Sequence, residues 1–327
     1  MADYKDIKGG TIQNFAGDPP APINGQVWYD STAIAFQYRT VSPAGSWATG
    51  NNMNTIRAAI GGAGTQTAAI AIAGQSGSPS TNRPEVETYD GTSWTEVADV
   101  NSARNDLGGS GTQTAAIVFG GEPVTANTEQ WNNTSWAEVA NLNDSRYGLG
   151  GNSIGTATAG LAAGGFSPAI TNNTESWNNT SWTELGNLNT ARTRLSTFGI
   201  TTAAIAAGGT GSAGTPDGLK AESWNGSSWT EVNDINTARQ QLSVAGTTTA
   251  GLAFGGEPGA GPYVVITEQW NGTSWTEVND LNTGRQEMGA GGTTTAGLAF
   301  AGYTGSYSAA TEEWNAPSSS SETITTS

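Results

Sequence analysis

The sequence predicts an all-β fold in which a four-stranded unit is repeated six times. The first observation is an arginine that opens a similar stretch of sequence each time, at intervals of 42 to 47 residues. These arginines are Arg57, Arg104, Arg146, Arg192, Arg239 and Arg285. The second observation is a pair of turn-forming residues between two aromatic segments in the units. A period of about 40 to 50 residues is typical of arrays built from small β-sheets.

One complete unit, residues 239–278, predicts four strands that we name a, b, c and d. Strand a follows Arg239, strand b lies in the apolar run 249–256, strand c contains Trp270 and strand d contains Trp275. The c and d strands are joined by Asn271-Gly272, a pair that tolerates positive φ and favours a tight hairpin turn. Equivalent pairs are Asp90-Gly91, Asn132-Asn133, Asn178-Asn179 and Asn225-Gly226.

The b strands determine how the units are expected to pack. They consist of Ala, Gly, Ile, Leu and Phe on both sides, so both faces of each sheet must be covered. A four-stranded unit that cannot bury two faces by itself stacks radially on its neighbours, which leaves only short edges. The units are therefore predicted to be the blades of a β-propeller.

The two ends of the array predict how the ring closes. Before the first arginine, Ser46 and Trp47 begin a lone d strand, and after the last b strand residues 311–315 form a lone c strand. A sixth blade would take its a, b and c strands from the C-terminal end and its d strand from the N-terminal end. We therefore predict a six-bladed propeller over residues 46–316, closed by an N-terminal d strand and a C-terminal c strand.

Three features of the unit resemble kelch repeats. They are paired glycines after strand b, an aromatic residue followed by Asp or Asn on strand c, and a tryptophan on strand d, as in Gly120-Gly121, Trp131-Asn132 and Trp136. The resemblance covers most of the chain and implies a β-propeller. The chain departs from the kelch pattern in its very short c–d connection and in Ala73 and Ala301, which replace the first glycine of the pair.

The repeated aromatic residues are predicted to be structural. Strand c carries Trp131, Trp177, Trp224, Trp270 and Trp314 with Tyr89 in the remaining unit, and strand d carries Trp47, Trp94, Trp136, Trp182, Trp229 and Trp275. Their strict period favours packing between blades. The alternative interpretation is that exposed tryptophans bind sugar.

A glutamate also recurs, two residues before the aromatic residue of strand c. These glutamates are Glu87, Glu129, Glu175, Glu222, Glu268 and Glu312. Because they match the six repeat arginines in number, we expect bidentate Arg–Glu pairs that also hold the d–a loop in place. The alternative is a ring of charge with a function of its own.

The composition excludes several classes of function. The chain has 327 residues and a formal net charge of −16, and its only lysines are Lys5, Lys8 and Lys220. Nucleic-acid binding needs clustered Lys and Arg to neutralise phosphate, and no such cluster remains. The chain has no His and no Cys, which removes the commonest metal ligands and the commonest general base. We therefore predict no nucleic-acid partner, no metal and no cofactor.

The sequence does not predict an enzyme or a membrane protein. Glycoside hydrolysis needs two suitably spaced carboxylates, but the acidic residues outside the repeated Glu positions form no recognisable constellation. Examples are Asp106, Glu122, Asp217, Glu257 and Glu287. No segment approaches the ~20 apolar residues that span a membrane, and residues 1–16 lack the apolar core of a secretory signal.

Residues 1–45 do not follow the repeat. Alternation within residues 25–39 predicts a small hairpin, with Trp28 and Tyr29 on one arm and Phe36 and Tyr38 on the other. Forty-five residues are too few for an independent core. The segment is therefore expected to pack against the propeller or against another protein.

The run Gly25-Gln-Val-Trp-Tyr-Asp-Ser-Thr32, preceded by a Pro-rich step, resembles the leader of many structural proteins of tailed phages, particularly marine ones. A leader of this kind joined to a kelch-like array is similar to virion proteins of the fibre, knob or decoration type. The resemblance implies a location in the virion and attachment to other virion proteins through residues 1–45. Trp28, Tyr29, Phe36 and Tyr38 are then the candidate anchoring residues, and a homo-oligomer on the particle is possible.

Antiparallel strand order places the b–c and d–a loops together, on a surface that we call the b–c face. The c–d turns are short and uniform, whereas the b–c loops vary: they are residues 75–85, 122–127, 166–173, 210–220, 257–266 and 303–310. Variable loops on a constant framework are typical of a recognition surface. The candidate ligand-binding residues are Arg83, Glu122, Phe166, Lys220, Tyr263, Tyr303 and Tyr307, whose aromatic members can stack on sugar rings or on an apolar partner. The alternative for each is a solvated loop position without a ligand.

The leading hypothesis is a non-enzymatic virion protein that is attached through residues 1–45 and binds a host-surface glycan or protein through the b–c face. A second is an architectural role in the virion without host binding. A third is a free-standing lectin-like or protein-binding propeller, and a fourth is a carbohydrate-cleaving enzyme. Residues 317–327, which include four consecutive serines, are expected to form a flexible tail.

Overall fold

The computed structural model describes residues 12–20, 26–41, 45–151, 156–211, 217–259, 262–317 and 319–324. The chain divides into two units, one formed by Ser46–Asn315 and one by Met1–Gly45 together with Ala316–Ser327. Both units consist of β-strands, and the helical structure within the described ranges is limited to a short 3-10 turn at Asp217–Leu219. The predicted all-β class is confirmed.

The strands are numbered in chain order. The first ten are β1 (Asn14–Phe15), β2 (Val27–Asp30), β3 (Ala35–Val41), β4 (Ser46–Gly50), β5 (Gly61–Thr65), β6 (Ala68–Ile72), β7 (Gln75–Ser76), β8 (Thr81–Asn82), β9 (Val86–Tyr89) and β10 (Trp94–Val97). The next ten are β11 (Gly108–Thr112), β12 (Ala115–Phe119), β13 (Thr128–Trp131), β14 (Trp136–Glu138), β15 (Gly150–Gly151), β16 (Gly160–Ala163), β17 (Thr174–Trp177), β18 (Trp182–Glu184), β19 (Ser196–Ile200) and β20 (Ala203–Ala207). The last ten are β21 (Ala221–Trp224), β22 (Trp229–Glu231), β23 (Ser243–Thr247), β24 (Ala250–Phe254), β25 (Thr267–Trp270), β26 (Trp275–Val278), β27 (Gly289–Gly292), β28 (Ala296–Phe300), β29 (Thr311–Asn315) and β30 (Ser319–Thr323).

The Ser46–Asn315 unit contains a series of four-stranded antiparallel sheets. Their strand orders are β5-β6-β9-β10, β11-β12-β13-β14, β15-β16-β17-β18, β19-β20-β21-β22, β23-β24-β25-β26 and β27-β28-β29-β4. In the last of these sheets, β4 from near the N-terminus takes the d position, with Trp47 opposite Trp314. The short strands β7 and β8 form a separate hairpin in the b–c loop of the first sheet. This repeated four-stranded architecture is consistent with a propeller-like fold.

The residues after strand b have left-handed backbone conformations, which explains the paired glycines. Gly255 has φ 62° and Gly256 has φ 102°. A Cβ atom on Gly255 would lie 2.5 Å from the carbonyl oxygen of Arg285, so a larger residue requires the structure to shift. Ala73 (φ 57°) and Ala301 (φ 60°) replace this glycine and keep the left-handed conformation. The two alanines therefore preserve the path of the backbone.

Each repeat arginine is buried and pairs with the glutamate of its own sheet, as predicted. The pairs are Arg57–Glu87, Arg104–Glu129, Arg146–Glu175, Arg192–Glu222, Arg239–Glu268 and Arg285–Glu312, with N–O distances from 2.7 to 3.1 Å. Burial lowers the pKa of Arg239 to about 10, an effect that the charge of Glu268 opposes.

The prediction that these pairs are bidentate is wrong, because the arginine contacts only one of the two carboxylate oxygens. Oε1 of Glu268 accepts from Arg239, whereas Oε2 accepts from the backbone N–H and from Nδ2 of Asn236, both at 2.7 Å. The equivalent asparagines of the other units are Asn54, Asn101, Asn143, Asn189 and Asn282. Arg239 uses Nη1 to donate to the carbonyl oxygen of Ile266 at 2.7 Å. Each carboxylate therefore holds the d–a loop, and the repeat arginines other than Arg104 also tie the segment before strand a to the end of the b–c loop.

Hydrophobic clusters lie between neighbouring sheets. Trp270 and Trp275 of the fifth sheet pack with Phe198 and Ile205 of the fourth. Within the described residues, five similar clusters each join a different pair of sheets. The repeated tryptophans and Tyr89 are all buried, which confirms their structural role. Four d-strand indoles also donate to a threonine hydroxyl of a neighbouring sheet: Trp47 to Thr267, Trp94 to Thr311, Trp182 to Thr128 and Trp229 to Thr174.

The smaller unit contains one four-stranded sheet with the order β1-β2-β3-β30. Strands β2 and β3 are antiparallel, with Tyr29 opposite Phe36 and Val27 opposite Tyr38. The turn between them is held by Asp30, whose Oδ1 accepts from the backbone N–H of Thr32 at 2.7 Å. Strand β30, in the segment for which a flexible tail was expected, pairs with β3.

Candidate ligand-binding site

A cleft of about 640 Å³ opens on the b–c face. One wall is formed by residues 75 and 77–80 of the first unit, and the other by Tyr303 and residues 305–307 of the sixth unit. Ile56, Gln286 and Glu287 also line the cleft. Its volume is in the range of about 300 to 1,000 Å³ that small-ligand sites have.

Backbone pairing holds both walls in place. In the first wall, β7 and β8 pair Gln75 with Asn82. In the second wall, Tyr303 pairs with both Gln286 and Tyr307. The two walls are joined by a hydrogen bond between the hydroxyl groups of Ser80 and Tyr307. Contacts within the chain therefore hold the two walls of the site together.

Three tyrosines come together at this cleft. The ring centroids of Tyr303 and Tyr307 are 5.4 Å apart, and those of Tyr263 and Tyr303 are 5.7 Å apart, both in edge-to-face geometry. Tyr303 and Tyr307 line the cleft, and Tyr263 supports Tyr303 from the fifth unit. All three are predicted ligand-binding residues, Tyr263 on one b–c loop and Tyr303 and Tyr307 on the next, and the structure brings the two loops together.

A second group lies two residues after each repeat arginine. It consists of Ala59, Asp106, Gly148, Arg194, Gln241 and Glu287, which line a cavity of about 90 Å³. The backbone N–H of each donates to the carbonyl oxygen of the one before it, and Ala59 donates to Glu287, at distances from 2.6 to 3.0 Å. We call this group the inner ring. Glu287 belongs to both the inner ring and the cleft.

The backbone of the inner ring is left-handed throughout, with φ between 51° and 59°. Glycine takes this conformation without cost, yet only Gly148 is a glycine. Asp106, Arg194 and Glu287 hold charged side chains there despite the steric penalty. Each of the six residues lies just before strand a, and no two units carry the same residue at this position.

Electrostatics distinguish the two acids of the inner ring from surface carboxylates. Burial raises the pKa of Asp106 to about 6, and the positive charge of Arg194 opposes this shift. Burial raises the pKa of Glu287 to about 7, and the charge of Asp106 adds to the shift. Arg194 and hydrogen bonds from Gln241 and Gln75 act in the opposite direction on Glu287. Near neutral pH, Glu287 therefore gains and loses its proton readily.

The other four predicted ligand-binding residues do not line the cleft. Arg83 donates to Ser76 Oγ at 2.7 Å and lies 3.8 Å from Glu85. The ring of Phe166 packs on Tyr147 at 5.4 Å. Lys220 pairs with Glu231 at 3.0 Å. Glu122 pairs through its backbone with Asn105, and its charge raises the pKa of Asp106.

The predicted anchoring residues lie in the smaller unit. Trp28 is buried, and Tyr29 packs edge to face on Phe36 with centroids 5.3 Å apart. Phe36 is 44% exposed, whereas Tyr38 is half-buried. The exposed edge of Phe36 is thus the most accessible part of this aromatic group.

Neither a metal site nor a membrane span emerges from the part of the chain that the structure describes. Within those ranges, His, Cys, Asp and Glu form no group of three or more suited to a metal ion. The same ranges hold no helix that is long and apolar enough to cross a membrane.

Sequence reasoning missed Gln75, Gln286 and the inner ring as parts of a site. A signal for the inner ring was present, because the position two residues after the arginine is a different residue in every unit, whereas the next position is always Ile, Leu or Met. Neither the models of known protein families nor the curated proteins give a match to this chain. The chemistry of the cleft is therefore the basis on which function is inferred.

Proposed function

We propose that this chain is a non-enzymatic structural protein of a virion, of the fibre, knob or decoration type, that recognises a host-surface glycan through its b–c face. The observation that carries the proposal is the cleft of about 640 Å³, lined by Tyr303 and Tyr307 beside the amides of Gln75 and Gln286. Aromatic rings next to amide and carboxylate groups are a suitable surface for sugars, which present both C–H faces and hydroxyl groups.

The proposal includes a closed six-bladed propeller as the scaffold of this face. Three observations support it: the pairing of β4 with β29, the hydrophobic clusters between sheets, and the inner ring of backbone hydrogen bonds that returns from Glu287 to Ala59. The third hydrophobic cluster combines Tyr89 and Trp94 of the first sheet with Leu298 and Phe300 of the sixth. In a closed ring the first and sixth units are neighbours, and the cleft lies between their b–c loops.

The location in the virion is supported by the leader-like run that contains Trp28 and Tyr29. In this proposal residues 1–45 bind other virion proteins, and several copies can assemble on one particle. The net charge of −16 keeps such a protein soluble at high local concentration.

Binding fits the cleft better than cleavage does. Glycoside hydrolysis uses two carboxyl groups that flank the bond to be broken. Among the described residues that line the cleft, Glu287 is the single carboxylate, and Asp106 lines the smaller cavity of about 90 Å³. We therefore favour recognition without turnover.

The first test is binding of the purified chain to intact host cells. We expect saturable binding by the full chain, and its loss in a variant with scrambled sequence at residues 77–80 and 303–307. A variant scrambled at residues 166–173, the b–c loop of the third unit, is the matched control. Absence of binding in every form would point instead to the architectural role.

The virion location needs a separate test. Mass spectrometry of purified particles is expected to detect the chain, and deletion of residues 1–45 is expected to remove it from them. Particles that lack the full chain, or that retain the shortened one, would contradict this part of the proposal.

A further inference from the structure

We propose that the cleft selects a neutral, hydroxyl-rich saccharide and rejects anionic saccharides. This inference rests on the proposed function and names the class of glycan that the same site takes. It follows from the shape of the cleft, its aromatic wall, its hydrogen-bonding groups and its charge.

The shape of the cleft suits a rigid ring rather than a flexible chain. The first wall is stiffened by the β7–β8 hairpin, and the second by the backbone pairing of Tyr303 with Tyr307. The backbone N–H of Arg57 donates to the carbonyl oxygen of Ser308 at 3.0 Å, and this bond joins the first unit to the second wall. Preformed walls lower the entropy cost of binding a ligand.

The aromatic wall suits the C–H faces of a sugar. The planes of Tyr303 and Tyr307 meet at 69°, so the two rings form a corner rather than a flat surface. Tyr263 packs on Tyr303 at 79°, and the Tyr307 hydroxyl is occupied by Ser80. Both cleft rings are thus held in place, and each presents its apolar body to a ligand.

The polar groups of the cleft include acceptors that need donors. Gln75 and Gln286 bring amide groups to the cleft, although the Oε1 atom of Gln286 is itself buried. Glu287 brings a carboxylate to the same cleft. A carboxylate accepts hydrogen bonds, and a sugar hydroxyl is a suitable donor.

The charge of the cleft excludes anions. Its lining contains Glu287 and, within the described residues, neither Lys nor Arg. The charge of Asp106 acts on Glu287, and the positive charge of Arg194 acts on both of these acids, so it is already shared. A sialic acid, uronic acid or sulfate group would enter next to a carboxylate, with no cation among the described lining residues to pair with it. Such like-charge contact opposes binding.

The test uses the purified full chain on an array of immobilised oligosaccharides that includes neutral, sialylated, sulfated, uronic-acid and N-deacetylated amine members. The soluble oligosaccharide that binds most tightly is then titrated into the protein by calorimetry at pH 8, and its sialylated form is titrated in the same way. We expect neutral members to bind, and sialylation at the bound end to weaken binding by about tenfold or more.

Variants assign the binding to the cleft. Tyr303→Ala and Tyr307→Ala are each expected to weaken binding of the neutral sugar by about tenfold, whereas Phe166→Ala on the third unit leaves it unchanged. Glu287→Gln removes the carboxylate and is expected to reduce the difference in binding affinity between the neutral and the sialylated sugar. Thermal melting followed by tryptophan fluorescence shows whether each variant is folded. Because Tyr303 and Tyr307 are changed in separate variants, each variant tests the cleft on its own.

Three outcomes would overturn the inference: preference for anionic or amine-bearing members, binding that persists in both tyrosine variants, or no binding to any member of the array. If no member of the array binds while host cells still bind the chain, this inference fails, whereas host recognition stands with a receptor that is not among the glycans of the array. If the chain binds neither the array nor the host cells, host recognition itself fails.

Discussion

Trp275 differs from the other d-strand tryptophans in its hydrogen bonding. Its Nε1 atom has no partner among the described residues. In the unit before it, Trp229 Nε1 donates to the hydroxyl of Thr174 at 3.0 Å. The position that corresponds to Thr174 is Ala221, which has no hydroxyl group. A buried indole N–H is therefore left without the acceptor that its equivalents have.

Ala221→Thr is expected to stabilise the protein because it supplies this acceptor. The free energy of unfolding should rise by about 0.5–1.5 kcal/mol, measured by chemical denaturation. Thr174→Ala, the reverse change one unit earlier, should lower it by about 1–3 kcal/mol. Val86→Thr is the control, since Trp136 already donates to the carbonyl oxygen of Ala98 at 3.1 Å. A gain in Val86→Thr equal to that in Ala221→Thr would refute the explanation.

The buried Arg239–Glu268 pair makes a second prediction for single residues. Glu268→Gln leaves the guanidinium of Arg239 buried without a counter-charge, and we expect a loss of roughly 3–5 kcal/mol in the free energy of unfolding. Glu277 lies directly opposite Glu268 on β26 and is exposed. Glu277→Gln should change stability by less than about 0.5 kcal/mol. Similar losses in the two variants would show that burial of the pair is not the cause.

Among the elements, β4 stands out because it completes a sheet whose other strands come from the opposite end of the chain. Five residue pairs join β4 to β29, from Ser46 opposite Asn315 to Gly50 opposite Thr311. Trp47 packs edge to face on Phe254 of the fifth sheet, with centroids 4.9 Å apart. One strand thus fills the edge of one sheet and contacts the next.

Removal of β4 is expected to destabilise the whole Ser46–Asn315 unit. A chain of residues 51–317 should unfold at a much lower temperature than one of residues 46–317, because β29 loses its partner and the pocket of Trp47 is left empty. The loss should be at least the roughly 3–5 kcal/mol of a buried tryptophan. A synthetic peptide of residues 46–52 should restore part of the stability of the shorter chain. Equal melting temperatures for the two chains would argue against closure through β4.

For the whole molecule, the inner ring couples stability to pH. Burial raises the pKa of Glu287 to about 7 and that of Asp106 to about 6, both above their ordinary values. The folded state therefore binds these protons more tightly than the unfolded state does. Stability from these groups is present at low pH and decreases as the pH rises through about 6 to 7.

Glu287→Gln tests this coupling because glutamine cannot ionise. The melting temperature of the natural chain is expected to fall between pH 5 and pH 8, and that of the variant to fall less, so that the variant is the more stable one at pH 8. Glu277→Gln, which changes an exposed acid, should leave the slope unchanged. A natural chain whose melting temperature does not decrease over this interval would contradict the prediction.

The sequence alone determined the all-β class, the repeated four-stranded unit, the Arg–Glu pairs and the buried tryptophans. These features follow from local periodicity and from residue types that have one low-energy environment, so they can be read from spacing. Even here the sequence misled about geometry. It suggested a bidentate pair, whereas one carboxylate oxygen of Glu268 is taken by Asn236.

Only the tertiary structure decided where the candidate site lies. Gln75 and Tyr303 are distant in sequence, yet they line one cleft, because sheet packing brings the first and sixth units together. The same packing places Asp106 close enough to Glu287 to raise its pKa, although the sequence showed no constellation among the acids. Contacts between units depend on the rotation from one sheet to the next, and no local pattern in the chain encodes which loop residues will then meet.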